Sequence, residues 1–278
     1  MRLLLPLFMS KRTPKVVPLF HTPIIETHCH LDYLAQETMA EELRAITDAG
    51  VERIITIAVS PDNLATVLNL CDEHEYIWGT QGIHPHEAAL WSPSVAQAVA
   101  AGSAHSKVVA IGEIGLDYYY EHASPQAQSA AFEAQLALAA ERDLPVVIHT
   151  READADTRAV LENHARHLRK KGVIHSFTSS QALADYCLSE GFHLGFNGIC
   201  TFKNADNVRA IIDSTPIDSI VLETDAPYLT PVPYRGRVNS PRFLPLIAAQ
   251  IAEIKNMPVE TLLRAVRRNS MALFFADQ

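Results

Sequence analysis

Six side chains of metal-binding type each follow a short apolar run, and the runs are spread along almost the whole chain. The six are His28, His30, Glu113, His149, His175 and Asp225. The runs, such as 108–111 and 146–148, contain mainly Val and Ile, which is typical of strands buried on both faces. Since parallel strands end at a common edge, we expect the six side chains to meet at one end of one sheet.

The residue types define the chemistry that such a cluster could do. His28 and His30 are two positions apart, so on a strand both imidazoles point the same way and can reach one ion. Carboxylates from Glu113 and Asp225 would complete a mixed nitrogen and oxygen site, which suits Zn²⁺, Mn²⁺, Fe²⁺ or Ni²⁺ more than Mg²⁺ alone. The other two histidines could hold a second ion if Glu113 bridges. Two ions ~3.5–4 Å apart can stabilise the attacking and leaving oxygens of phosphoester hydrolysis.

Each member of the set also has a simpler interpretation. An isolated His-x-His pair often occurs by chance, and His149 or His175 alone would fit a hydrogen-bonded histidine of a core or loop. Asp225 could be no more than the N-cap of the following turn. Ligand-type residues at five separate strand ends are much harder to obtain by chance, and this coincidence favours a metal centre.

Composition narrows the function classes. The 278 residues are 48% hydrophobic, enough for a large core, and the net charge is -9. Such a chain does not coat nucleic acid through bulk positive charge, so a phosphate-bearing substrate would be held locally, and metal ions can supply that charge. The cysteines at positions 29, 71, 187 and 200 form no CxxC pair, which fits free thiols and predicts a cytoplasmic protein.

Strand candidates alternate with amphipathic helical stretches, without a linker that would mark a second domain. We predict strands at 23–27, 52–58, 76–80, 108–112, 145–149, 172–175, 192–196 and 219–222. We predict helices near 38–49, 62–74, 94–101, 126–143, 153–170, 180–190, 204–214, 240–255 and 258–275. Eight such units in ~250 residues indicate an α/β fold of one domain over 23–278, a (β/α)8 TIM barrel. An open sheet has the same local pattern, but it would not gather these ligands around one point.

Residues 1–22 do not follow this pattern. The apolar run 1–9 is broken by Pro6 and lacks a small-residue cleavage site, so it does not fit a signal peptide. The run is also too short to span a bilayer. We expect residues 1–22 to form a disordered or loosely packed extension, with Met9 as an alternative start.

Six motifs occur in one order along the chain. They are Thr27-His28-Cys29-His30-Leu31-Asp32, Gly82-Ile83-His84-Pro85-His86, Gly112-Glu113-Ile114-Gly115-Leu116-Asp117-Tyr118, Leu144-Pro145-Val146-Val147-Ile148-His149-Thr150-Arg151, His175-Ser176-Phe177-Thr178 and Glu223-Thr224-Asp225-Ala226-Pro227-Tyr228-Leu229. Through them the chain resembles the TatD family of metal-dependent deoxyribonucleases, within the amidohydrolase-like barrels, from about residue 25 to residue 275. One such motif is moderately specific, whereas six in the family order are very specific.

The resemblance implies two metal sites that share one carboxylate. The first would consist of His28, His30, Glu113 and Asp225, and the second of Glu113, His149 and His175. The resemblance also implies that His84 touches a substrate phosphate or the leaving oxygen, and that Asp117 lines the site or lies behind a ligand. This chain departs from the family at Glu26, where many relatives have Asp, and at 178–180, where the usual central glycine is missing. Neither departure changes a predicted ligand, so they affect substrate range more than metal binding.

Further side chains are expected to act on a substrate. Asp225 is a ligand that also faces the water, so it is the natural proton acceptor, and the predicted catalytic residues are Asp225, Glu113 and His84. Side chains expected to bind the substrate are Asp117, Arg151, Arg235 and Arg237. The last two lie in a loop at the functional face of the predicted barrel. We expect Lys203, by contrast, to be a solvated surface charge.

These observations predict an enzyme. The resemblance implies a deoxyribonuclease that cleaves DNA, as an exonuclease, with water activated by two divalent cations such as Mg²⁺, Mn²⁺ or Zn²⁺. The alternative within enzymes is hydrolysis of another ester or amide, for example the ester of a D-aminoacyl-tRNA, to which the family has also been linked. A metal-dependent binding protein without catalysis would need no proton acceptor, and the full ligand set argues against it. We expect a nucleic acid partner, no membrane and no obligate protein partner.

Overall fold

The computed structural model describes residues 16–34, 38–120 and 122–276. Within these ranges a sheet of eight parallel strands follows the order of the chain, so each strand pairs with the strands before and after it. The strands are β1 Ile24–Cys29, β2 Val51–Thr56, β3 Ile77–Gln81, β4 Val108–Asp117, β5 Val146–Arg151, β6 Gly172–Ile174, β7 His193–Phe196 and β8 Ile220–Leu222. The predicted succession of eight strands is confirmed.

The sheet closes on itself where β1 meets the segment after β8. Cys29 forms a parallel bridge with Ala226, and the amide of His30 donates to the carbonyl of Ala226 at 2.7 Å. The amide of Asp225 donates to the carbonyl of His28 at 2.9 Å. The (β/α)8 barrel predicted from the sequence is therefore confirmed, and the bonds that close it also fix the backbone of three predicted ligands, His28, His30 and Asp225.

Helices alternate with the strands, as the pattern predicts. They are α1 Met39–Asp48, α2 Leu64–Glu73, α3 Pro93–Gly102, α4 Pro125–Arg142, α5 Asp154–His164, α6 Gln181–Ser189, α7 Asp206–Ser214, α8 Leu244–Ile254 and α9 Val259–Phe274. The stretch predicted as one helix over 153–170 is divided, because α5 ends at His164 and a 3-10 turn, Ala165–His167, follows it. Among the described residues no helix is long and apolar enough to cross a membrane.

The core has two layers that follow the alternation of side chains along each strand. Ile54, on one side of β2, packs in a large cluster with residues of the helices, whereas Ile55 belongs to a smaller cluster with Val147, Val173 and other strand residues. Phe274 and Phe275, at the end of α9, also pack in the smaller cluster. The smaller cluster thus fills the barrel interior and leaves the other end of the barrel for polar residues.

Strands β4 and β5, like β1, extend further than the apolar pattern predicts. The parallel pairing of β4 with β5 continues through Gly115 with His149 and Asp117 with Arg151. Backbone pairing does not require apolar side chains, so the strands continue after the Val and Ile runs end. Glu113 and His149 consequently lie within their strands near the C-terminal ends, and this rigid backbone positions both side chains.

Part of the predicted extension lies against the barrel. The amide of His21 donates to Oε1 of Glu260 at 2.8 Å, and the hydroxyl of Thr22 donates to Oε2 at 2.7 Å. These bonds attach the start of the described chain to the first turn of α9. The rest of the prediction, over residues 1–15, lies outside the described residues.

Candidate metal centre

The first group of predicted ligands forms where β1 meets the segment after β8. Nε2 of His28 and Nε2 of His30 lie 3.7 Å and 3.4 Å from Oδ1 of Asp225. Asp225 has a left-handed backbone with φ 57°, which is costly for a residue with a Cβ atom, and the bond of its amide to the carbonyl of His28 holds it there. The three side chains are close enough to share one cation.

Glu113 faces two groups of imidazoles with its two carboxylate oxygens. Oε2 lies 3.4 Å from Nε2 of His28. Oε1 lies 2.8 Å from Nε2 of His175 and 3.0 Å from Nδ1 of His149. Each oxygen is thus directed to one of the two predicted ion positions, which is the arrangement that a bridging carboxylate requires.

Several buried nitrogens at this centre have no hydrogen-bond partner among the described residues. They are both ring nitrogens of His28, Nδ1 of His30 and Nδ1 of His175. A buried polar atom without a partner costs about 1–3 kcal/mol, so such atoms are rare in folded proteins. The rings of His28 and His175 are stacked, with centroids 3.8 Å apart. Imidazoles this close, with unsatisfied nitrogens beside two carboxylates, fit a site for divalent cations.

Electrostatics favour the metal-binding protonation states of Glu113, Asp225 and His28. Burial opposes ionisation of Glu113, but the imidazoles of His175, His84 and His28 outweigh it and lower its pKa well below the ordinary value. Burial also opposes ionisation of Asp225, whose pKa the bond with His30 nevertheless lowers. Burial lowers the pKa of His28, so this imidazole is neutral at pH 7. Ionised carboxylates and neutral imidazoles are the forms that coordinate metal ions. At His30, His149 and His175 burial opposes protonation, but the neighbouring carboxylates outweigh it and raise the pKa of each ring in the metal-free protein.

Asp117 lies behind one of the ligands. It is buried, and its Oδ2 atom lies 3.0 Å from Nε2 of His149 and 3.0 Å from Nε2 of His86. Its Oδ1 atom accepts the amides of Tyr119 and Tyr120. Because four protein donors surround this carboxylate, its geometry fits the orientation of His149, with Nδ1 turned to the centre, better than direct contact with a substrate.

Glu223 has a similar place behind His175, and it is not among the site residues predicted from the sequence. Oε1 of this fully buried carboxylate accepts the amide of Ser176 at 2.7 Å and the side-chain amide of Asn197 at 3.2 Å. It also lies 3.6 Å from Nδ1 of His175. Ser176 has φ 47°, so Glu223 holds a strained backbone next to a ligand. An acid directly after an apolar strand is the signal in the sequence that could identify it.

Glu26 joins the two strands at the seam of the barrel. Its Oε1 atom accepts the amides of His28 and Thr224, both at 3.0 Å, and its Oε2 atom accepts the hydroxyl of Thr224 at 2.6 Å. The side chain of Glu26 therefore reaches across from β1 to the segment after β8. This contact positions the backbone on either side of His28 and Asp225.

His84 lies at the centre, as the family resemblance implies. Its Nδ1 atom accepts the amide of His86, and its Nε2 atom lies 3.4 Å from Oε1 of Glu113. Burial lowers the pKa of His84 to about 4, so the ring is neutral at pH 7. Since Nδ1 accepts a hydrogen bond, the proton of the neutral ring is on Nε2. His84 therefore presents a donor to the centre.

Five of the six predicted ligands, all except the buried His28, line a cavity of about 610 Å³, which we call the central cavity. Its wall includes His30, His84, Glu113, His149, His175, Asp225, Tyr33, Tyr120, Tyr228, Arg151, Thr178 and Ile199. Of the three arginines predicted to bind substrate, only Arg151 is in this wall. Arg235 lies over the ring of Phe202 and Arg237 over the ring of Tyr234, outside it. The structure thus brings together the six ligands, His84 and Arg151, and places the other two arginines farther along the same face.

Comparison with known proteins identifies the family to which this chain is similar. The family model of TatD related DNase matches residues 25–275. The uncharacterized metal-dependent hydrolase YabD of Bacillus subtilis (strain 168) is 35% identical over 252 residues, which cover 90% of this chain and 98% of that protein. The 3'-5' ssDNA/RNA exonuclease TatD of Erwinia amylovora is 37% identical over 233 residues, which cover 82% of this chain and 90% of that protein.

A solved structure also has the same fold. The crystal structure of YJJV, a TatD homolog from Escherichia coli K12, superposes with a TM-score of 0.86 at 30% identity and covers 90% of this chain and 97% of that one. A TatD family hydrolase from Entamoeba histolytica has a TM-score of 0.82 at 20% identity, which supports the fold alone. With its barrel, its ligand cluster and these relatives, the chain belongs to the TatD family of metal-dependent hydrolases.

Proposed function

We propose that this protein is a phosphodiesterase that uses two divalent cations and hydrolyses DNA from an end. The observation that carries the proposal is the carboxylate of Glu113, whose two oxygens face separate groups of imidazoles. His28, His30 and Asp225 would hold one cation and His149 and His175 the other, with Glu113 between them. When bound, the two cations would supply positive charge to a phosphate and acidify a water.

The side chains of the centre have distinct roles in this proposal. Asp225 accepts the proton of the attacking water, since its pKa is lowered, the carboxylate is ionised at pH 7, and it lines the central cavity. His84 donates a hydrogen bond from Nε2 to a phosphate oxygen or to the leaving oxygen. Arg151 holds a flanking phosphate, because its guanidinium lies in the cavity wall and 3.9 Å from the ring centroid of Tyr119, which orients it.

We infer the substrate from similarity to a known protein and from the open central cavity. One relative is named a 3'-5' ssDNA/RNA exonuclease, and we transfer a nucleic acid substrate and attack from an end to this chain. Tyr33 and Tyr228 are about half exposed beside His30, so bases of a single strand could stack there.

The test is digestion of end-labelled single-stranded and double-stranded DNA and RNA with Mn²⁺ or Mg²⁺ by the wild type, Glu113→Ala and Asp225→Asn. We expect the wild type to shorten the single strand from one end, and Glu113→Ala to lose hydrolysis together with tight binding of both ions. Asp225→Asn should lose hydrolysis but retain some metal. Undiminished cleavage by Glu113→Ala would refute the two-metal proposal. Turnover of a D-aminoacyl-tRNA with no cleavage of any phosphodiester would favour the alternative ester hydrolase.

A further inference from the structure

A second, smaller cavity opens beside the central cavity and shares part of its wall. This side cleft has a volume of about 250 Å³, and Phe202, Lys203 and Arg235 contribute to its wall. Thr178 and Ile199 line both the side cleft and the central cavity. A ligand bound at the metal centre can therefore continue across these two residues into the side cleft.

The side cleft is cationic. Lys203 and Arg235 are exposed, neither side chain forms an ion pair with another described residue, and no described acid lines the cleft. The two cations thus lie in one cleft, although the chain as a whole has a net charge of -9. The guanidinium of Arg235 lies 4.0 Å from the ring centroid of Phe202, and this contact orients its plane while its N–H groups remain available to an anion.

Another groove also meets the central cavity at Thr178, but its charge is different. This lateral groove has a volume of about 790 Å³ and is lined by Arg151, Glu152 and Asp154, among other residues. Arg151, which also lines the central cavity, offsets only one of the two carboxylates, so the part of the groove beyond Arg151 would repel a phosphate backbone. Of the two continuations of the central cavity, the side cleft is the one that suits a polyanion.

We propose that the side cleft binds the phosphate of the nucleotide next to the bond that is cleaved. The ligand is the sugar-phosphate backbone of a nucleic acid strand, held between Lys203 and Arg235 as the strand leaves the metal centre over Thr178 and Ile199. The cleft recognises the backbone and not the base, because Arg235 already covers the ring of Phe202. This inference rests on the proposed phosphodiesterase function for the position of the scissile bond, and it gives Lys203 a role beyond that of a solvated surface charge.

The proposal is tested by binding of labelled single-stranded dT6 and dA6 in EDTA, from about 50 to 200 mM salt. The double variant Lys203→Gln/Arg235→Gln is compared with Arg44→Gln/Arg264→Gln, which removes two exposed cations elsewhere, so both have a net charge of -11 (-9 minus 2). We expect the cleft variant to bind both strands about 10- to 100-fold more weakly than the wild type. For this variant, the slope of the logarithm of the binding constant against the logarithm of the salt concentration should also be shallower, by about 0.7 for each phosphate contact that is lost.

Hydrolysis with Mn²⁺ separates this proposal from the proposed function. The cleft variant should show a raised KM and an unchanged kcat for dT6, and its kcat/KM should fall more for dT6 than for bis(p-nitrophenyl) phosphate, which is too small to reach the cleft. The proposal for the side cleft would be overturned if the cleft variant and the charge-matched control had equal affinities and equal salt slopes. It would also be overturned if the wild type bound neither strand. A parallel loss of bis(p-nitrophenyl) phosphate turnover would also count against it. If the wild type binds strands through the cleft but cleaves no phosphodiester, the cleft stands and the proposed function fails.

Discussion

Two histidines of the candidate centre have a buried acid on the side that faces away from it. Oδ2 of Asp117 lies 3.0 Å from Nε2 of His149, and Oε1 of Glu223 lies 3.6 Å from Nδ1 of His175. The hydrogen bond to Asp117 selects the tautomer of His149 and raises the basicity of the nitrogen that faces the centre. Glu223 is too far from Nδ1 of His175 for a hydrogen bond and acts on this ring through its charge. At the scale of single residues, the acids behind the ligands should therefore set metal affinity without touching a substrate.

The variant Asp117→Asn tests this role. We expect metal affinity to fall about 10- to 100-fold, because the amide cannot accept hydrogen bonds at both positions that now serve His86, His149 and two backbone amides. Titration with Mn²⁺ or Zn²⁺ by calorimetry measures the change. Hydrolysis should recover at high metal concentration.

The matched control is Asp156→Asn. Asp156 is an exposed acid that accepts the hydroxyl of Tyr118, and its replacement should leave metal affinity unchanged. If Asp117→Asn keeps wild-type metal affinity but has a raised KM, Asp117 contacts substrate instead, as the sequence analysis expected.

At the scale of elements, the close pairing of β4 with β5 sets the position of two ligands. Gly115 has φ 138°, and a Cβ atom there would lie 2.0 Å from the carbonyl oxygen of His149. Gly115→Ala should therefore push β5 away from β4, which would separate His149 from Glu113. We expect a loss of about 3 kcal/mol or more in the free energy of unfolding, from backbone strain and overpacking together.

Urea unfolding of Gly115→Ala and of Gly50→Ala checks this prediction. Gly50 has φ 88°, but no atom lies within 4 Å of a Cβ atom built there. Its substitution carries only the backbone cost, about 1 kcal/mol. Equal losses in the two variants would show that the approach of β4 to β5 is not tight.

The seam between β1 and β8 predicts a dependence of stability on pH. Burial raises the pKa of Glu26 to about 8, although hydrogen bonds from Thr224 and the amide of His28 oppose the shift. Between pH 4.5 and pH 8 the folded state of the metal-free protein keeps a proton that the unfolded state releases. The contribution of Glu26 to the free energy of unfolding is therefore full below pH 4.5. It decreases as the pH rises toward 8, by up to about 1.4 kcal/mol per pH unit.

Unfolding by urea in EDTA at several pH values from about 5 to about 8 measures this slope. Glu26→Gln should flatten it, because the amide cannot ionise, whereas Glu41→Gln, at an exposed acid of α1, should keep the wild-type slope. A Glu26→Gln slope equal to that of the wild type would mean that Glu26 does not hold the proton.

At the scale of the whole molecule, metal binding should stabilise the barrel, since the ligands come from strands along the whole sheet. Each ion at 100 times its Kd adds about 2.7 kcal/mol to the free energy of unfolding, which for a chain of this size raises Tm by about 5 °C. Calorimetry in EDTA and with excess Mn²⁺ or Zn²⁺ measures the shift. Glu113→Ala should lose most of it, and a Tm independent of metal would exclude tight binding.

The barrel and the cluster of metal-binding residue types at one end of it could be predicted because the signals are local. Runs of Val and Ile such as 146–148 indicate a buried strand wherever it lies in the sheet, and His149 follows such a run in the sequence itself. The ends of the elements were less predictable. The pairing that carries β4 to Asp117 depends on the neighbouring strand and not on the hydropathy of β4.

The sequence by itself determined the succession of eight strands, the six side chains of metal-binding type that follow apolar runs, and the family resemblance, because each is contained in neighbouring residues. Only the tertiary structure decided which oxygen of Glu113 faces which imidazole, that Glu26 and Glu223 hold the backbone beside the ligands, and that Arg235 shares a cleft with Lys203. Glu26 and Thr224, for example, are 198 positions apart. Contacts of this kind arise from the closure of the barrel, and no local pattern contains them.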